Sequence, residues 1–480
     1  MPTGSDPSTS PMETTLDGAI QSVVFDGDLV RRLDRPGPRY TSYPTANHFS
    51  ESFDEEVYRY CVYQEQHIQQ PRDLSLYFHI PFCAHLCFYC ACNKIVTRNR
   101  SKASTYLDYL IRELDLQRRL FPVGTRVRQL HWGGGTPTYL DPGQITTLMR
   151  AIQERFAMAD ETQGEYSIEV DPRTVGEETV ELLRSLGFNR ISIGVQDFDP
   201  RVQEKVHRVQ SEEETRRVVE AARRSGFRSI NVDLIYGLPA QTVESFDRTL
   251  DKILSIDPDR IALYNYAHLP HLFPPQQRIA VTDLPPPEAK LEIMKLAIMR
   301  LTHAGYQYIG MDHFAKVDDE LSVAQRENRL QRNFQGYSTH AECNLVGFGI
   351  SAIGMMGTSY SQNCRTLETY YQKIDQNCLP ILRGIILTAD DRLRRSIIHS
   401  LSCHFRISIP AIEESFNIPF KDYFSDELRK LNELEALGLV STDAREIRVT
   451  LKGRLLVRNV CMIFDRFLRT ERTPEYSRVI

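Results

Sequence analysis

Cys83, Cys87 and Cys90 stand in the run Tyr77-Phe-His-Ile-Pro-Phe-Cys-Ala-His-Leu-Cys-Phe-Tyr-Cys90, spaced Cys-x3-Cys-x2-Cys. Three thiolates can ligate three irons of a 4Fe–4S cluster, which leaves the fourth iron open to a ligand that is not protein. In this spacing the usual occupant is S-adenosylmethionine, bound through its amino and carboxylate groups. An electron from the cluster then cleaves its sulfonium and releases a 5'-deoxyadenosyl radical. The spacing predicts a radical enzyme. Counting ligands leaves a closed zinc site as an alternative, with Cys92, His79 or His85 in fourth place. Structural zinc sites usually join two separated Cys pairs, however, and Cys61, Cys343, Cys364, Cys378, Cys403 and Cys461 contain no second pair.

Further polar residues interrupt apolar runs. Gly133-Gly-Gly-Thr-Pro137 follows the strand-like His131-Trp132, so bare backbone there can approach a ligand closely. Glu169 ends an apolar run in Ile168-Glu-Val-Asp-Pro172, where a carboxylate needs a partner or a ligand. Gln196 in Gly194-Val-Gln-Asp-Phe198, Arg208 in His207-Arg-Val-Gln210 and Asp233 in Asn231-Val-Asp-Leu-Ile-Tyr-Gly-Leu-Pro239 continue the series. Singly, each reads as a structural polar residue. Together, on consecutive strand ends facing one mouth, they match the needs of a bound amino acid and ribose.

The elements that must position these residues follow from periodicity. From Ser75 onward, apolar β-rich segments alternate with amphipathic ones. Strands are predicted over 76–79, 127–132, 166–170, 190–195, 229–236, 260–266 and 306–310; helices over 103–120, 142–156, 177–186, 212–225, 242–255 and 286–304. Repeated strand-helix units predict an α/β fold, an incomplete parallel (β/α) barrel with ligands at the C-terminal strand ends. After Met311 the rhythm gives way to Gln- and Gly-rich turns, and Asp318-Asp-Glu320 reads as a solvated turn or helix start. From Thr388 the chain is mainly helical. Its β-prone 447–450 resembles the wing of a winged helix, without the basic stripe of a DNA reader. The expected organisation is a mobile tail over 1–30, then an extension over 31–74 that packs on the catalytic unit and carries the irregular Arg35-Pro-Gly-Pro-Arg-Tyr-Thr-Ser-Tyr-Pro44. The barrel follows over 75–315, a substrate and second-cofactor segment over 316–387, and a mainly helical domain over 388–480.

With 480 residues, 25% charged and 41% hydrophobic, the composition is that of a soluble globular protein with a large core. The net charge of −5 argues against general nucleic-acid binding. No apolar run approaches a membrane span, and Met1 to Thr15 lacks the basic start and apolar middle of a secretory signal, so the expected location is the cytoplasm. Clustered cysteines there are metal ligands rather than disulfides.

In this order the motifs closely resemble the oxygen-independent coproporphyrinogen III oxidases, radical S-adenosylmethionine dehydrogenases of haem synthesis. The likeness begins at Pro38-Arg-Tyr-Thr-Ser-Tyr-Pro44 and takes in the cysteine loop with its continuation Cys92-Asn-Lys-Ile-Val-Thr-Arg98. It then includes His131-Trp-Gly-Gly-Gly-Thr-Pro137, Ile235-Tyr-Gly-Leu-Pro239, Asn265-Tyr-Ala-His-Leu-Pro270, Gly310-Met-Asp-His-Phe-Ala315, Arg332-Asn-Phe-Gln-Gly-Tyr337 and Ser477-Arg-Val-Ile480.

The resemblance implies that Cys83, Cys87 and Cys90 ligate the cluster. It implies further that Tyr77, Gly134, Gly135, Thr136, Glu169, Gln196, Arg208 and Asp233 surround the first S-adenosylmethionine. Tyr89 and Ala91, where the family varies between aromatic and small residues, join this cofactor-binding set. Ala267, Gln335 and Ile353 match contacts to a second S-adenosylmethionine. The implied reaction converts two propionates of coproporphyrinogen III to the vinyls of protoporphyrinogen IX, consuming two S-adenosylmethionine. The radical takes a hydrogen from the propionate β-carbon, after which CO2 and one electron are lost. Arg39 and Arg332 are candidate partners for the substrate carboxylates.

Cys92 is not expected to be a ligand, because a fourth thiolate would close the open iron; it is the candidate catalytic residue near the substrate, with a buried inert thiol as the alternative. The electron donor implied is a flavodoxin or ferredoxin system, and the oligomeric state a monomer. A haem chaperone of the same superfamily is the nearest alternative, disfavoured by the 38–44 and 92–98 segments. A zinc-stabilised interaction protein with a winged-helix tail leaves the strand-end polar series without a role.

Overall fold

The computed structural model describes residues 22–68, 70, 72–340, 343–469 and 476. Packing divides the chain into two units, one of residues 41–293 and 342–392 and the other of residues 1–40, 294–341 and 393–480.

The first unit is built on six parallel strands, β1 (Leu74–Ile80), β2 (Arg126–Gly134), β3 (Glu165–Val170), β4 (Arg190–Gln196), β5 (Ser229–Tyr236) and β6 (Arg260–Asn265), each beside the next. The connecting helices start where the sequence gives them a cap. Asp141, Ser211 and Thr242 each accept the third helical N–H, and the side chain of that third residue returns a bond to the cap backbone. Along β3, β4 and β5 burial alternates with period two. Tyr166, Ile168, Ile191, Ile193, Val232 and Leu234 are buried on one face. Glu169, Ser192, Gly194, Asn231 and Asp233 lie half-buried on the other. The polar face is therefore set by register alone, and a slip of one residue would bury every carboxylate on it.

Beyond β1 the sheet continues. Asn344–Phe348 pairs parallel with β1, from Leu74 opposite Asn344 to Phe78 opposite Phe348. Ile353–Met356, Ser359–Asn363 and Ile381–Ile386 follow, antiparallel. The sequence reading has turns over this stretch. All five residues of Asn344–Phe348 are buried, so the strand shows no alternation, and its Phe348 ring stacks on Phe78 at 4.5 Å. Helix Ser101–Arg118 holds the loop after this strand: the fully buried Glu113 accepts Gly349 N–H at 2.7 Å, Tyr370 O–H at 2.7 Å and Asn363 Nδ2 at 2.8 Å. Burial, against those three donors, raises the Glu113 carboxyl to about 7.

In the other unit, Tyr306–Gly310 is a strand, as expected, in an antiparallel hairpin with His313–Lys316. Asp319 caps helix Glu320–Arg326, so the acidic run is a helix start. A second hairpin joins Gln331–Asn333 to Gly336–Ser338. The C-terminal part carries helices Ile409–Phe416, Ser425–Ala436 and Val457–Phe464 around a small sheet of Arg406–Ser408, Glu446–Val449 and Val440–Thr442, the expected wing. A buried Arg394–Glu427 ion pair of 2.7 Å ties it together.

Of the expected tail, residues 1–21 lie outside the described residues, while Gly27–Leu33 is helical behind an Asp26 cap. Ser477 to Ile480 also lies outside them. The expected segment 316–387 is shared between the units, cut after residue 341. No helix among the described residues is long and apolar enough to cross a membrane.

Candidate functional site

Phe82–Cys83 follows β1 and pairs in parallel with Ile95–Val96, which closes the neck of the cysteine loop. The Ile95 N–H donates to Pro81 O at 2.7 Å and the Thr97 N–H to Cys83 O at 3.0 Å. The far side of the loop is fastened as well. Phe88 N–H donates to Val206 O at 2.9 Å, the Phe88 and His207 rings stack at 4.9 Å, and Gln276 Nε2 donates to Tyr89 O at 3.0 Å.

Cys83 and Cys87 are buried, Cys90 is half-buried and Cys92 exposed. Donors surround the sulfurs. Thr136 Oγ1 stands 3.5 Å from Cys83 Sγ, and Arg208 Nη1 and Arg173 Nη2 stand 3.7 and 3.9 Å from Cys87 Sγ. The Cys92 thiol donates to Cys90 and so, with the nearby Lys94, lowers Cys90 to about 6. The same bond pushes Cys92 well up, and burial raises Cys83 to about 11.

The glycine run passes between crowded neighbours. A Cβ on Gly133 would come within 2.8 Å of Glu169 Oε1, on Gly134 within 2.6 Å of His79 Cε1, and on Gly135 within 2.6 Å of the Pro81 carbonyl carbon. Gly134 also has φ +112°. Glu169 accepts from Gly134 N–H at 3.2 Å and bonds His131 Nε2 at 3.2 Å, and His131 Nδ1 bonds Ser167 Oγ at 2.5 Å. Burial alone would raise Glu169, but the bond to His131 and the Gly134 N–H hold it below the usual carboxylate range. Tyr77 stacks on His131 at 5.8 Å and bonds His79 Nδ1 at 3.1 Å; His79 Nε2 reaches Asn93 O at 2.8 Å.

Gln196 ends β4 at φ +72°, just past a register shift against β5. Beside it, Arg208 donates to Gly194 O at 2.6 Å and to Asp171 Oδ2 at 3.2 Å. Asp171 also takes Arg173 at 2.6 Å. Burial would lower Arg208, yet its neighbours Tyr89, Asp171 and Cys87 hold it above the usual guanidinium range. Asp233 accepts from Asn231 Nδ2 at 2.8 Å and from Ser192 Oγ at 3.3 Å; burial and the Glu169 charge raise it to about 6.

Tyr77, Gly134, Gly135, Thr136, Glu169, Gln196, Arg208 and Asp233 thus gather about the cysteine loop, which itself carries Tyr89 and the exposed Ala91. His131, Asp171 and Arg173 complete the arrangement and were not singled out from sequence. His131 lies two residues before Gly133, hence on its face of β2, and Asp171 and Arg173 flank the proline after Glu169 and Val170.

Ala267 lies past β6, its carbonyl accepting Gln276 Nε2 at 3.2 Å, and Ile353 opens its strand half-buried. Gln335 belongs to the other unit, at the turn of the 331–338 hairpin. Its N–H donates to Asn333 Oδ1 at 2.8 Å and its buried Nε2 has no partner among the described residues. In that unit too, Arg332 donates to Arg39 O at 3.1 Å and Tyr40 O at 3.2 Å and lies over the Tyr337 ring at 5.3 Å, with its buried Nε lacking a partner among the described residues. Arg39 is exposed and meets Arg332 through its carbonyl.

The donor set suits an iron–sulfur cluster with an amino-acid ligand. Three thiols come from one short loop among cations, an ionised carboxylate suits an ammonium, and glycines leave room for a ligand against backbone. A Radical SAM superfamily model matches residues 77–253, and a HemN C-terminal domain model residues 387–456. The chain is 49% identical over 461 residues to the oxygen-independent coproporphyrinogen III oxidase of Pseudomonas aeruginosa, covering 96% of this chain and 100% of that protein. It is 50% identical over 465 residues to the enzyme of the same name from Escherichia coli, covering 96% and 100%. The solved structure of the Escherichia coli coproporphyrinogen III oxidase HemN, a radical SAM enzyme, matches with a TM-score of 0.88 at 49% identity over 93% of this chain and 100% of that one.

Proposed function

The chain belongs to the oxygen-independent coproporphyrinogen III oxidases, and from that premise we propose how its residues carry out the oxidative decarboxylation of coproporphyrinogen III to protoporphyrinogen IX in haem synthesis. The fold is that of the radical SAM class, a parallel (β/α) sheet with a mainly helical C-terminal region. Cys83, Cys87 and Cys90 hold a 4Fe–4S cluster, and Tyr77, Gly134, Gly135, Thr136, Glu169, Gln196, Arg208 and Asp233, with Tyr89 and Ala91, hold S-adenosylmethionine. Bound there, these groups would supply the hydrogen-abstracting radical chemistry that conversion of a propionate to a vinyl needs.

The protein's part is pre-organisation. Glu169, kept ionised by His131 and Gly134 N–H, is a charge-assisted acceptor for an ammonium. Arg208 is locked by Gly194 O and Asp171, so it offers a fixed donor without rearranging. Asp233, supported by Asn231 and Ser192, suits ribose hydroxyls. Thr136, Arg173 and Arg208 offset charge on the sulfurs. For a second S-adenosylmethionine the candidate contacts are Ala267 and Ile353 in the first unit; in the other unit Gln335 is read separately as a ligand contact, supported by its amide Nε2, which has no partner among the described residues. Arg332 is the propionate partner, supported by its own partnerless Nε. Cys92 would serve the substrate side rather than ligate the cluster. The enzyme works as a cytoplasmic monomer fed by a flavodoxin or ferredoxin.

The observation that carries this reading is the meeting of sulfur and strand-end charge at Arg208, which touches Cys87, Gly194 and Asp171 at once. The test is anaerobic reconstitution followed by assay with coproporphyrinogen III, S-adenosylmethionine and dithionite. Protoporphyrinogen IX and 5'-deoxyadenosine are expected; cleavage of S-adenosylmethionine with no porphyrinogen turned over would overturn the substrate assignment.

A further inference from the structure

The neck of the cysteine loop reaches solvent. Val96, which pairs with Cys83, is 43% exposed. The next residue, Thr97, donates its N–H to the Cys83 carbonyl at 3.0 Å. One hydrogen bond therefore joins a surface strand to a residue that carries a cluster thiol.

Cations gather around it. Arg98 and Lys102 are exposed, and neither side chain has an ion-pair or hydrogen-bond partner among the described residues. Arg100, between them, lies over the Tyr139 ring at 4.1 Å, and Lys94 Nζ donates to Cys90 O at 3.0 Å. Arg365 is also exposed, and its carbonyl is held by Asn93 Nδ2 at 3.2 Å. No acidic residue occupies the first turn of the helix that starts at Ser101. In a chain of net charge −5, this is a local positive field around an exposed apolar residue, beside the buried Cys83 and Cys87.

We propose that this face docks a small acidic flavoprotein, with Val96 against the exposed edge of the flavin and Arg98, Lys102 and Arg365 facing carboxylates around it. The inference rests on the reading of Cys83, Cys87 and Cys90 as cluster ligands. One electron crosses: the anionic flavin hydroquinone is oxidised to the neutral semiquinone, the cluster is reduced by one electron, and no proton moves. An apolar centre within a cationic rim suits a flavin edge better than the polar surface over a small iron–sulfur donor.

The test is the double substitution Arg98→Glu/Lys102→Glu in the reconstituted holoenzyme. Bleaching of the cluster absorbance is followed by anaerobic stopped flow after mixing with fully reduced flavodoxin. At low ionic strength the variant is expected to be reduced about tenfold more slowly or worse. The gap should close as salt shortens the screening length. Dithionite, which needs no docking, should reduce both proteins equally fast. Equal rates with flavodoxin at low salt would overturn the proposal. So would slowing with dithionite, since the substitutions would then act on the cluster itself. Slowing with reduced ferredoxin but not with flavodoxin would overturn the flavin assignment. Failure of the parent protein to assemble iron and sulfide would instead strike the cluster reading on which the proposal rests.

Discussion

At the ends of β2 to β5, Glu169, Asp171, Arg208 and Asp233 each have two or more protein partners before any ligand arrives. Along the 331–338 hairpin of the other unit, Arg332 Nε and Gln335 Nε2 are buried with none among the described residues. The difference separates two ways of building a binding surface. The first set is satisfied internally, so its charges stand in place and a ligand adds to an existing network. The second carries unpaired donors that cost about 1–3 kcal/mol each while they stay unpaired. Such donors are expected to gain most from a ligand. Nearby, burial and neighbouring charge lower His399 to about 3, and burial lowers His404 to about 4, so both are neutral at working pH.

The comparison can be broken in steps. The largest effect is expected from Cys87→Ser, which removes the thiol that both guanidiniums address and should abolish cluster assembly, read as iron and sulfide content. A full cluster in that variant would sink the ligand assignment. Glu169→Ala should leave iron and sulfide intact but weaken S-adenosylmethionine about 10–100-fold in an anaerobic titration, the loss of one charged hydrogen-bond network. Unchanged affinity would make the whole network structural.

Glu113 tests what internal satisfaction is worth when every donor is neutral. Its folded pKa of about 7 lies above the ordinary value of 4.5, so the native state keeps a proton that the unfolded chain has released. Stability from this group therefore falls as pH rises from about 4.5 to about 7, by about 3 kcal/mol. Glu113→Gln lacks that slope, so denaturant melts should show the variant gaining on the parent between pH 5 and pH 8. A constant gap would mean that the carboxyl titrates normally. The smallest effect is expected from Gln335→Ala, where removing a partnerless amide should leave stability level or raise it by about 1 kcal/mol while turnover falls. Lower stability with normal turnover would place a protein partner on that amide.

The strand-helix alternation was legible because the parallel strands obey one rule. β5 runs over Ser229–Tyr236 and the hairpin strand over Tyr306–Gly310, as read from periodicity. The half-buried carboxylates of β3 and β5 were legible for the same reason, as charges that interrupt an apolar run. Asn344–Phe348 was not, because a five-residue strand buried on both faces has no period to read. Glu113 was missed although its signal was present. It follows Tyr106 and Leu110 on the helix face that buries Leu114 and Gln117, but a lone Glu among polar helix residues looks like solvent surface. Arg173 carried no signal, since its part depends on a fold that brings Cys87 to it from 86 positions away in sequence.

The pairing of β1 with Asn344–Phe348 has a consequence for the time at which the enzyme can be completed. A ribosome releases the cysteine loop about 260 residues before the strand that flanks β1, which at ordinary synthesis rates is about 10–50 s. Glu113 waits over the same interval for Gly349. During that time the three thiols are attached to a sheet with one side still missing. Iron delivered before then would meet an unfinished sheet, so cluster insertion belongs after synthesis has passed Asn344–Phe348 and Asn363.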